Sequence, residues 1–237
     1  MIQFDDVTLR TRGTITPIVL AGINLRIEDG DHLAVLAPPD GGMDLLVDVL
    51  CGAGAPESGR VNRGASLSWP LPGASFVHKH QTFIGNARFI ARLYGVDQRA
   101  FISKVIETAE IEEFADERID FCPQKAVTRF GFALGACLTF DFYLFSNTNI
   151  GGRDDREKFN QKIHELGKSN GLIIAASNMK AAQTFCDKAF VLDPAGSVYY
   201  TDMEAAAAHL ERISQKGEEV IEETLALDEE RVFDDFF

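Results

Sequence analysis

The stretch LAVLAPPDGGMDLLVDVL, residues 33–50, contains three local patterns in succession. The apolar run Leu33–Leu36 is typical of a buried strand. Two prolines and two glycines within Ala37–Gly42 indicate a turn. From Met43 onward apolar residues recur at helical spacing, which predicts an amphipathic helix over residues 43–51. A strand, a tight turn and a helix in this order predict one unit of an α/β sheet.

The same junction can be compared with the phosphate-binding loop G-x-x-x-x-G-K-[ST]. In that loop, main-chain N–H groups, a lysine and a hydroxyl hold a triphosphate and its Mg²⁺. The length agrees here, but the chemistry does not. Ala37 replaces the first glycine, Met43 replaces the lysine and Asp44 replaces the hydroxyl residue. The candidate residues of this vestigial loop are Ala37, Asp40, Gly41, Gly42, Met43 and Asp44.

The composition is that of a globular protein. The chain has 237 residues, 46% of them apolar, which is enough for one large α/β domain. A net charge of −13 argues against nucleic acid or an anionic membrane surface as a direct partner. The four cysteines form no C-x-x-C pair, so we expect neither a zinc site nor a disulfide framework. No signal-peptide pattern and no apolar run of roughly 18 residues is present, so we expect a cytoplasmic protein without direct membrane insertion.

Strands and helices alternate along the rest of the chain. Residues 1–36 are predicted to form antiparallel strands, and residues 55–64 to form a loop before a short strand at 66–70. Helices are predicted at 83–95, 98–116, 125–140, 153–169 and 179–186, and further strands at 141–147, 171–177, 188–193 and 197–201. This alternation predicts βαβ units and a mostly parallel sheet.

Four segments resemble the nucleotide-binding subunit of ABC transporters, most closely that of bacterial capsule and polysaccharide exporters. They are SLSWPLPGASF (66–76), ARFIARLYG (87–95), TRFGFALGACLTFDFYLF (128–145) and TFCDKAFVL (184–192). The resemblance implies an α/β, P-loop NTPase-like (RecA-like) parallel sheet with an antiparallel β subdomain and a helical subdomain. It divides the chain into a nucleotide-binding-like domain over residues 1–216, with a helical insert at about 83–140, and an acidic tail over residues 217–237.

The resemblance also implies where the chemically active positions of the family fall, and each of them is substituted in this chain. The positions are Thr11 for the aromatic that stacks on adenine, His78 for the Q-loop glutamine, Pro123–Lys125 for the signature, Ser146 and Asn147 for the Walker B aspartate and the catalytic glutamate, Gly152 for the D-loop aspartate and Ser177 for the switch histidine. The apolar residues around these positions keep the family pattern.

These substitutions remove the interactions on which ATP hydrolysis depends. Met43 supplies no charge to the phosphates, and at about 4 Å and an effective dielectric of about 20 one charge pair is worth roughly 4 kcal/mol. Ser146 cannot hold Mg²⁺ as a carboxylate would, and Asn147 cannot act as a general base. A helix N-terminus favours anions, so we interpret Asp40 and Asp44 as carboxylates of the protein itself that satisfy the vacant anion site.

The sequence therefore predicts a non-catalytic ABC ATPase homologue that acts as a structural or regulatory subunit of a polysaccharide exporter. We expect no bound cofactor and no metal, and we expect a permease, an active ATPase subunit, or both as partners. The permease would hold the protein peripherally at the inner membrane. One alternative is an unusual subunit that still binds and hydrolyses Mg-ATP, and another is an adaptor unrelated to transport. The acidic tail is interpreted either as a solvated helix with a frayed end or, on account of Phe233, Phe236 and Phe237, as a docking segment or the contact surface of an ATP-independent oligomer.

Overall fold

The computed structural model describes residues 1–11, 18–73, 76–146 and 153–215. The strands are Ile2–Arg10 (β1), Val19–Ile27 (β2), His32–Leu36 (β3), Ser58–Arg63 (β4), Phe142–Phe145 (β5), Gly171–Ala176 (β6), Lys188–Val191 (β7) and Val198–Tyr200 (β8). The helices are Met43–Cys51 (α1), Phe83–Tyr94 (α2), Gln98–Ala109 (α3), Gln124–Ala136 (α4), Arg153–Gly167 (α5) and Met179–Gln183 (α6), followed by a helix over residues 203–215. None of the described helices is long and apolar enough to cross a membrane.

An antiparallel sheet of three strands has the order β2-β1-β4. The prediction of a loop at residues 55–64 is wrong, because β4 occupies most of that segment and pairs with β1. This strand lies at the sheet edge and is largely exposed, so its sequence lacks the apolar alternation of a half-buried strand. The strand predicted at 66–70 is also wrong, since that region makes only isolated parallel bridges from Leu67 and Leu71 to β5.

The second sheet has the order β5-β6-β3-β7-β8 and is parallel except for β8. The prediction that all of residues 1–36 form antiparallel strands is wrong for β3, which pairs in parallel with β6 and β7. The turn at Asp29–Gly30 therefore connects β2 of the antiparallel sheet to β3 of the second sheet. Leu33–Leu36 are all buried, as expected for a strand covered on both faces.

Two apolar cores lie on opposite faces of the parallel sheet. Leu33 and Val35 of β3 face the core that α1 and the antiparallel sheet complete. Ala34 and Leu36 face the core built from α2 to α6. The sheet is thus enclosed between the antiparallel subdomain and the helices, which is the architecture that the sequence predicts.

The helical subdomain matches the prediction in outline. Gly95 ends α2 with a left-handed φ of 68°. The helix predicted over 98–116 ends early, at Ala109, because Glu110 adopts a φ of 52° and its N–H turns back to bond preceding carbonyls. Thr82 and Asp97 cap the N-termini of α2 and α3 through their side chains.

Candidate functional site

The candidate loop leaves the carboxyl end of β3 and closes on itself in a β-turn. The N–H of Gly41 donates a hydrogen bond to the carbonyl oxygen of Pro38 at 2.9 Å. Pro39 and Asp40 are the two central residues, and Asp40 has a φ of 59°. A proline followed by a residue of positive φ defines a type II turn, and aspartate tolerates that conformation better than most side chains.

The turn consumes main-chain donors that a phosphate site would use. Pro38 and Pro39 have no N–H group. The N–H of Gly41 is bonded within the turn, and that of Ala37 donates to the carbonyl oxygen of Ala176 at 3.4 Å. Because a phosphate cradle consists of successive free N–H groups, this loop offers a much weaker anion site than an intact one.

The first residues of α1 are held by apolar contacts. Gly42 is the N-cap, with a φ of 83°, and a Cβ placed on it would lie 2.9 Å from Cδ1 of Leu20. Met43 is half-buried and packs against the core formed by α1 and the antiparallel sheet. At the position where the motif has a lysine, the chain therefore has a hydrophobic contact and no charge.

The interpretation that Asp40 and Asp44 satisfy the helix N-terminus is wrong. Both side chains are exposed, and within the described parts of the chain neither carboxylate accepts a hydrogen bond. The physical reason is that the N-cap position belongs to Gly42, which has no side chain. Asp44 lies in the first turn of α1, where it contributes only through its interaction with the helix dipole.

Ser146 and Ser177, at the carboxyl ends of β5 and β6, line the same cleft. The loop residues Ala37–Asp44 do not line it, although the bond from Ala37 to Ala176 places the loop directly beside it. Asn147, predicted at the catalytic glutamate, lies outside the described residues. The D-loop position Gly152 and the tail residues Phe233, Phe236 and Phe237 also lie outside them.

Side chains that the sequence did not single out form the walls of this cleft. Its volume is about 390 Å³, and the cations among its described lining residues are Arg156 of α5 and Lys180 of α6. Isolated charges on amphipathic helices usually indicate a solvated face, so neither residue was predicted. The signal available in the sequence was their spacing. Arg156 and Asn160 lie four residues apart, as do Lys180 and Thr184, and this spacing places both members of each pair on one helix face.

His78 lies apart from this cleft, in the exposed turn before α2. Its N–H donates to Oδ1 of Asn86 at 2.8 Å, which fixes the turn on the helix. The neighbouring His80 contacts Asp120, whose pKa is held below its usual value chiefly by the hydrogen bond from Arg118. No group of three or more residues able to hold a metal occurs in the described ranges.

Thr11 closes the end of the β1–β2 hairpin. Its N–H donates to the carbonyl oxygen of Ile18 at 3.1 Å, and its Oγ1 accepts from the N–H of Ile18 at 2.9 Å. The hydroxyl is thus used in main-chain pairing, and the position presents no ring on which a base could stack.

Lys125, at the signature position, is engaged within the chain. It lies in the first turn of α4, and its Nζ is 3.0 Å from Oδ2 of Asp155. Arg129, one turn further along α4, binds the other oxygen of the same carboxylate. Both cations therefore serve a contact between α4 and α5.

Comparisons of sequence identify relatives among bacterial export proteins, although no family model matches the chain. ATP-binding protein BexA of Haemophilus influenzae is 29% identical over 189 residues, covering 79% of this chain and 87% of the relative. Capsule polysaccharide export ATP-binding protein CtrD of Neisseria meningitidis is 27% identical over 79% and 88% of the two chains. Polysialic acid transport ATP-binding protein KpsT of Escherichia coli is 27% identical over 81% and 87%.

Solved structures establish the fold. The ATP-binding cassette MJ0796, in a dimeric post-hydrolysis state with ADP and phosphate, superposes with a TM-score of 0.72 at 15% identity, covering 84% of this chain and 98% of that one. The protein cbiO1 of Clostridium perfringens, part of the ABC transporter complex cbiONQ, gives a TM-score of 0.68 at 16% identity, covering 92% of this chain and 98% of that one. The chain therefore has the fold of an ABC ATPase cassette, and over about four fifths of its length its sequence is similar to ATP-binding proteins of bacterial capsule polysaccharide export.

Proposed function

We propose that this protein is a non-catalytic ABC ATPase homologue that serves as a structural or regulatory subunit of a polysaccharide-export transporter. In this role it keeps the shape of a cassette and its docking surface, while nucleotide binding and turnover belong to another subunit. Its partners are a permease, an active ATPase subunit, or both, and they would hold it at the inner face of the membrane.

The observation that carries the proposal is the self-closed loop before Met43. The Pro38–Gly41 turn occupies main-chain donors, and Met43 provides no charge for a triphosphate. Asp40 and Asp44 are exposed beside the positions where phosphates would lie, so they would repel them. A remaining neutral N–H group contributes only about 1 kcal/mol net, which is too little to offset these losses.

A second observation supports the docking role. The helix α2 buries one face, yet its opposite face exposes Phe89 and Leu93, which are 62% and 67% accessible. Tyr94 continues this surface to Trp69, whose ring lies 6.0 Å from that of Tyr94 and 4.9 Å from that of Phe76. We define these five side chains as the α2 patch. Exposed apolar groups of this kind mark interaction sites, and the resemblance implies that the helical segment 83–95 helps to receive the permease.

The alternative is an ATP-binding subunit that uses unusual residues. The names of the relatives favour it, because all three are described as ATP-binding proteins. Under this alternative the loop would have to open, and a group other than Met43 would have to supply the missing charge.

Calorimetry with Mg-ATP separates the two functions. We expect the purified chain to show no binding tighter than about 1 mM and no hydrolysis above background. BexA measured under the same conditions is the positive control. A micromolar dissociation constant for this chain would contradict the proposal and establish the alternative.

A further inference from the structure

The α2 patch is supplied by one stretch of sequence that contains no acidic residue. Residues 58–96 include five lysines and arginines and no aspartate or glutamate, in a chain with 36 acidic and 23 basic residues. All members of the α2 patch lie within this stretch. Arg88 and Arg92 are exposed and lie four residues apart on α2. They form a cationic row beside the apolar row of Phe89 and Leu93, so the patch combines apolar surface with positive charge.

The segment 217–237 has the complementary composition. It contains nine acidic residues and one arginine, and so carries −8 of the net charge of −13. Within it the stretch VFDDFF, residues 232–237, places three phenylalanines around two aspartates. We propose that this segment, which lies outside the described residues, docks on the α2 patch of its own chain. Its phenyl rings cover the exposed apolar side chains, and its carboxylates pair with Arg88 and Arg92.

The exposed apolar side chains of β8 fit this segment less well. Val198 and Tyr199 are 39% and 38% exposed. Burial and the charges of Asp31 and Asp187 raise the pKa of Tyr199, against the opposing charge of Lys188. Two carboxylates and one ammonium thus act on this surface, and its negative balance would repel an acidic segment.

Phe121 is a second exposed ring outside the α2 patch, and it is 74% accessible. The guanidinium of Arg118 lies over this ring, 4.8 Å from its centroid. The same guanidinium donates to the carboxylate of Asp120, at 3.1 Å from Nε. Its charge is therefore already neutralised within the chain, which leaves a single ring and little attraction for carboxylates.

The chain that follows the last described helix is long enough for the contact. That helix ends at residue 215, so residues 216–231 connect it to the VFDDFF stretch. At about 3.3 Å per residue this connection extends to roughly 50 Å, whereas a domain of this size has a radius of gyration of about 17 Å. A tether of this kind gives an effective concentration on the order of millimolar, so even a weak contact keeps the patch covered.

The contact covers an apolar surface of the unassembled protein. It goes beyond the proposed function and does not depend on it, because neither a nucleotide nor another subunit takes part. Under the proposed function, the segment and the permease would compete for the α2 patch, so assembly would require the segment to leave.

Trp69 reports on the contact directly. It is the only tryptophan of the chain, it belongs to the α2 patch, and it is partly exposed. Quenching of its fluorescence by acrylamide, a neutral quencher, measures how accessible the patch is in the purified full chain. Thermal unfolding of each variant confirms that it is folded.

Charge reversal on either side of the contact should uncover the patch. We expect Arg88→Glu/Arg92→Glu to raise the quenching constant at least about twofold, because the segment then meets like charges. Asp234→Lys/Asp235→Lys should raise it for the same reason. Combining all four substitutions should bring the constant back toward the wild-type value, since opposite charges again face each other. Damage to the fold would not produce that recovery.

The matched control is Arg60→Glu/Lys168→Glu, which reverses two exposed cations outside α2 and should leave the quenching constant unchanged. Equal constants in wild type and in both double variants of the contact, or no recovery when these are combined, would overturn the inference. Protection of Trp69 that increases with protein concentration would also overturn it, because the segment would then cover the patch of a second copy. None of these measurements involves ATP or a permease, so their outcome is separate from that of the proposed function.

Discussion

Arg129 of α4 and Asp155 of α5 form an ion pair in which the carboxylate is almost fully buried. The Asp155 side chain is 1% exposed, and its Oδ1 accepts from both Nε and Nη2 of Arg129, the former at 3.1 Å. Burial opposes ionisation of Asp155, but hydrogen bonds from Arg129 and Lys125 outweigh it and hold its pKa below the usual value. The pair joins the helical subdomain to the helix that follows β5.

Removing the guanidinium should destabilise the protein strongly. We expect Arg129→Met to lower the free energy of unfolding by about 3 kcal/mol, because it leaves a buried carboxylate with only Lys125 as a partner. Urea unfolding followed by circular dichroism measures the change. Arg99→Met, at an exposed position, is the control. A decrease in the free energy of unfolding of less than about 0.5 kcal/mol in Arg129→Met would show that the ion pair does not stabilise the contact between α4 and α5.

The same pair predicts how stability depends on pH. The pKa of Asp155 is lower in the folded chain than its ordinary value of 3.8, so the unfolded chain binds the proton more readily. The stabilisation is therefore fully present above pH 3.8 and is lost as the pH falls through the folded pKa. Unfolding free energies measured from about pH 6 downward should fall less steeply in Asp155→Asn than in wild type. Parallel curves for the two proteins would refute this assignment.

The contact between Gly42 and Leu20 can be isolated by a pair of variants. Gly42 and Gly30 have nearly equal φ values of 83° and 82°, so alanine costs similar backbone strain at both, about 1 kcal/mol. A Cβ at Gly30 meets nothing within 4 Å, whereas one at Gly42 meets the fully buried Leu20. We expect Gly42→Ala to be at least about 1 kcal/mol more destabilising than Gly30→Ala in thermal or urea unfolding. Equal losses would mean that Leu20 moves aside freely.

The sequence predicted a helix or strand correctly where the residues that determine it lie within the element itself. The helix Met43–Cys51 has the predicted bounds, because its apolar spacing lies within the segment and Gly52, which ends the helix, follows it directly. The partner of β3 could not be read in this way, since it depends on β6 and β7 far along the chain. The exposed edge strand Ser58–Arg63 carries no apolar alternation at all, so its pairing with β1 was missed.

The residues of the candidate site were likewise predicted only in part. The lost chemistry at Met43 was readable from the motif, and the resemblance supplied Ser146 and Ser177. The cleft cations Arg156 and Lys180 were missed, because they come from two helices that only the fold brings together. The loop carboxylates were misread for a geometric reason, since Gly42 occupies the capping position and leaves both of them in solvent.

Restoring the motif should restore only part of its function. We expect Met43→Lys combined with Asp44→Ser to recover weak Mg-ATP binding, because the loop regains a cation and loses a carboxylate. Turnover should stay at background, since Ser177 offers no imidazole and Asn147 no general base. Calorimetry and a phosphate-release assay measure the two effects, with Met43→Gln/Asp44→Ser as the uncharged control. Turnover by the charged variant would contradict the assigned role of the other substitutions.

The α2 patch should be needed for assembly but not for folding. We expect Phe89→Ser/Leu93→Ser to leave the unfolding midpoint nearly unchanged, because both side chains are mostly exposed in the isolated chain. The same variant should no longer co-purify with a permease from native membranes. Phe121→Ser, at a side chain that is 74% exposed outside the patch, is the matched control. Undiminished co-purification of the double variant would place the partner contact elsewhere.

The turn at Pro38–Gly41 is closed by one backbone hydrogen bond and two proline rings, so no solute is needed to order it. A loop that is ordered by a ligand gains stability with the logarithm of the ligand concentration. Under the proposed function this loop has no such dependence, and its stability would stay the same at every ATP concentration. In the proposed assembly with an active ATPase subunit, this chain would keep one loop conformation while the active subunit binds and releases nucleotide.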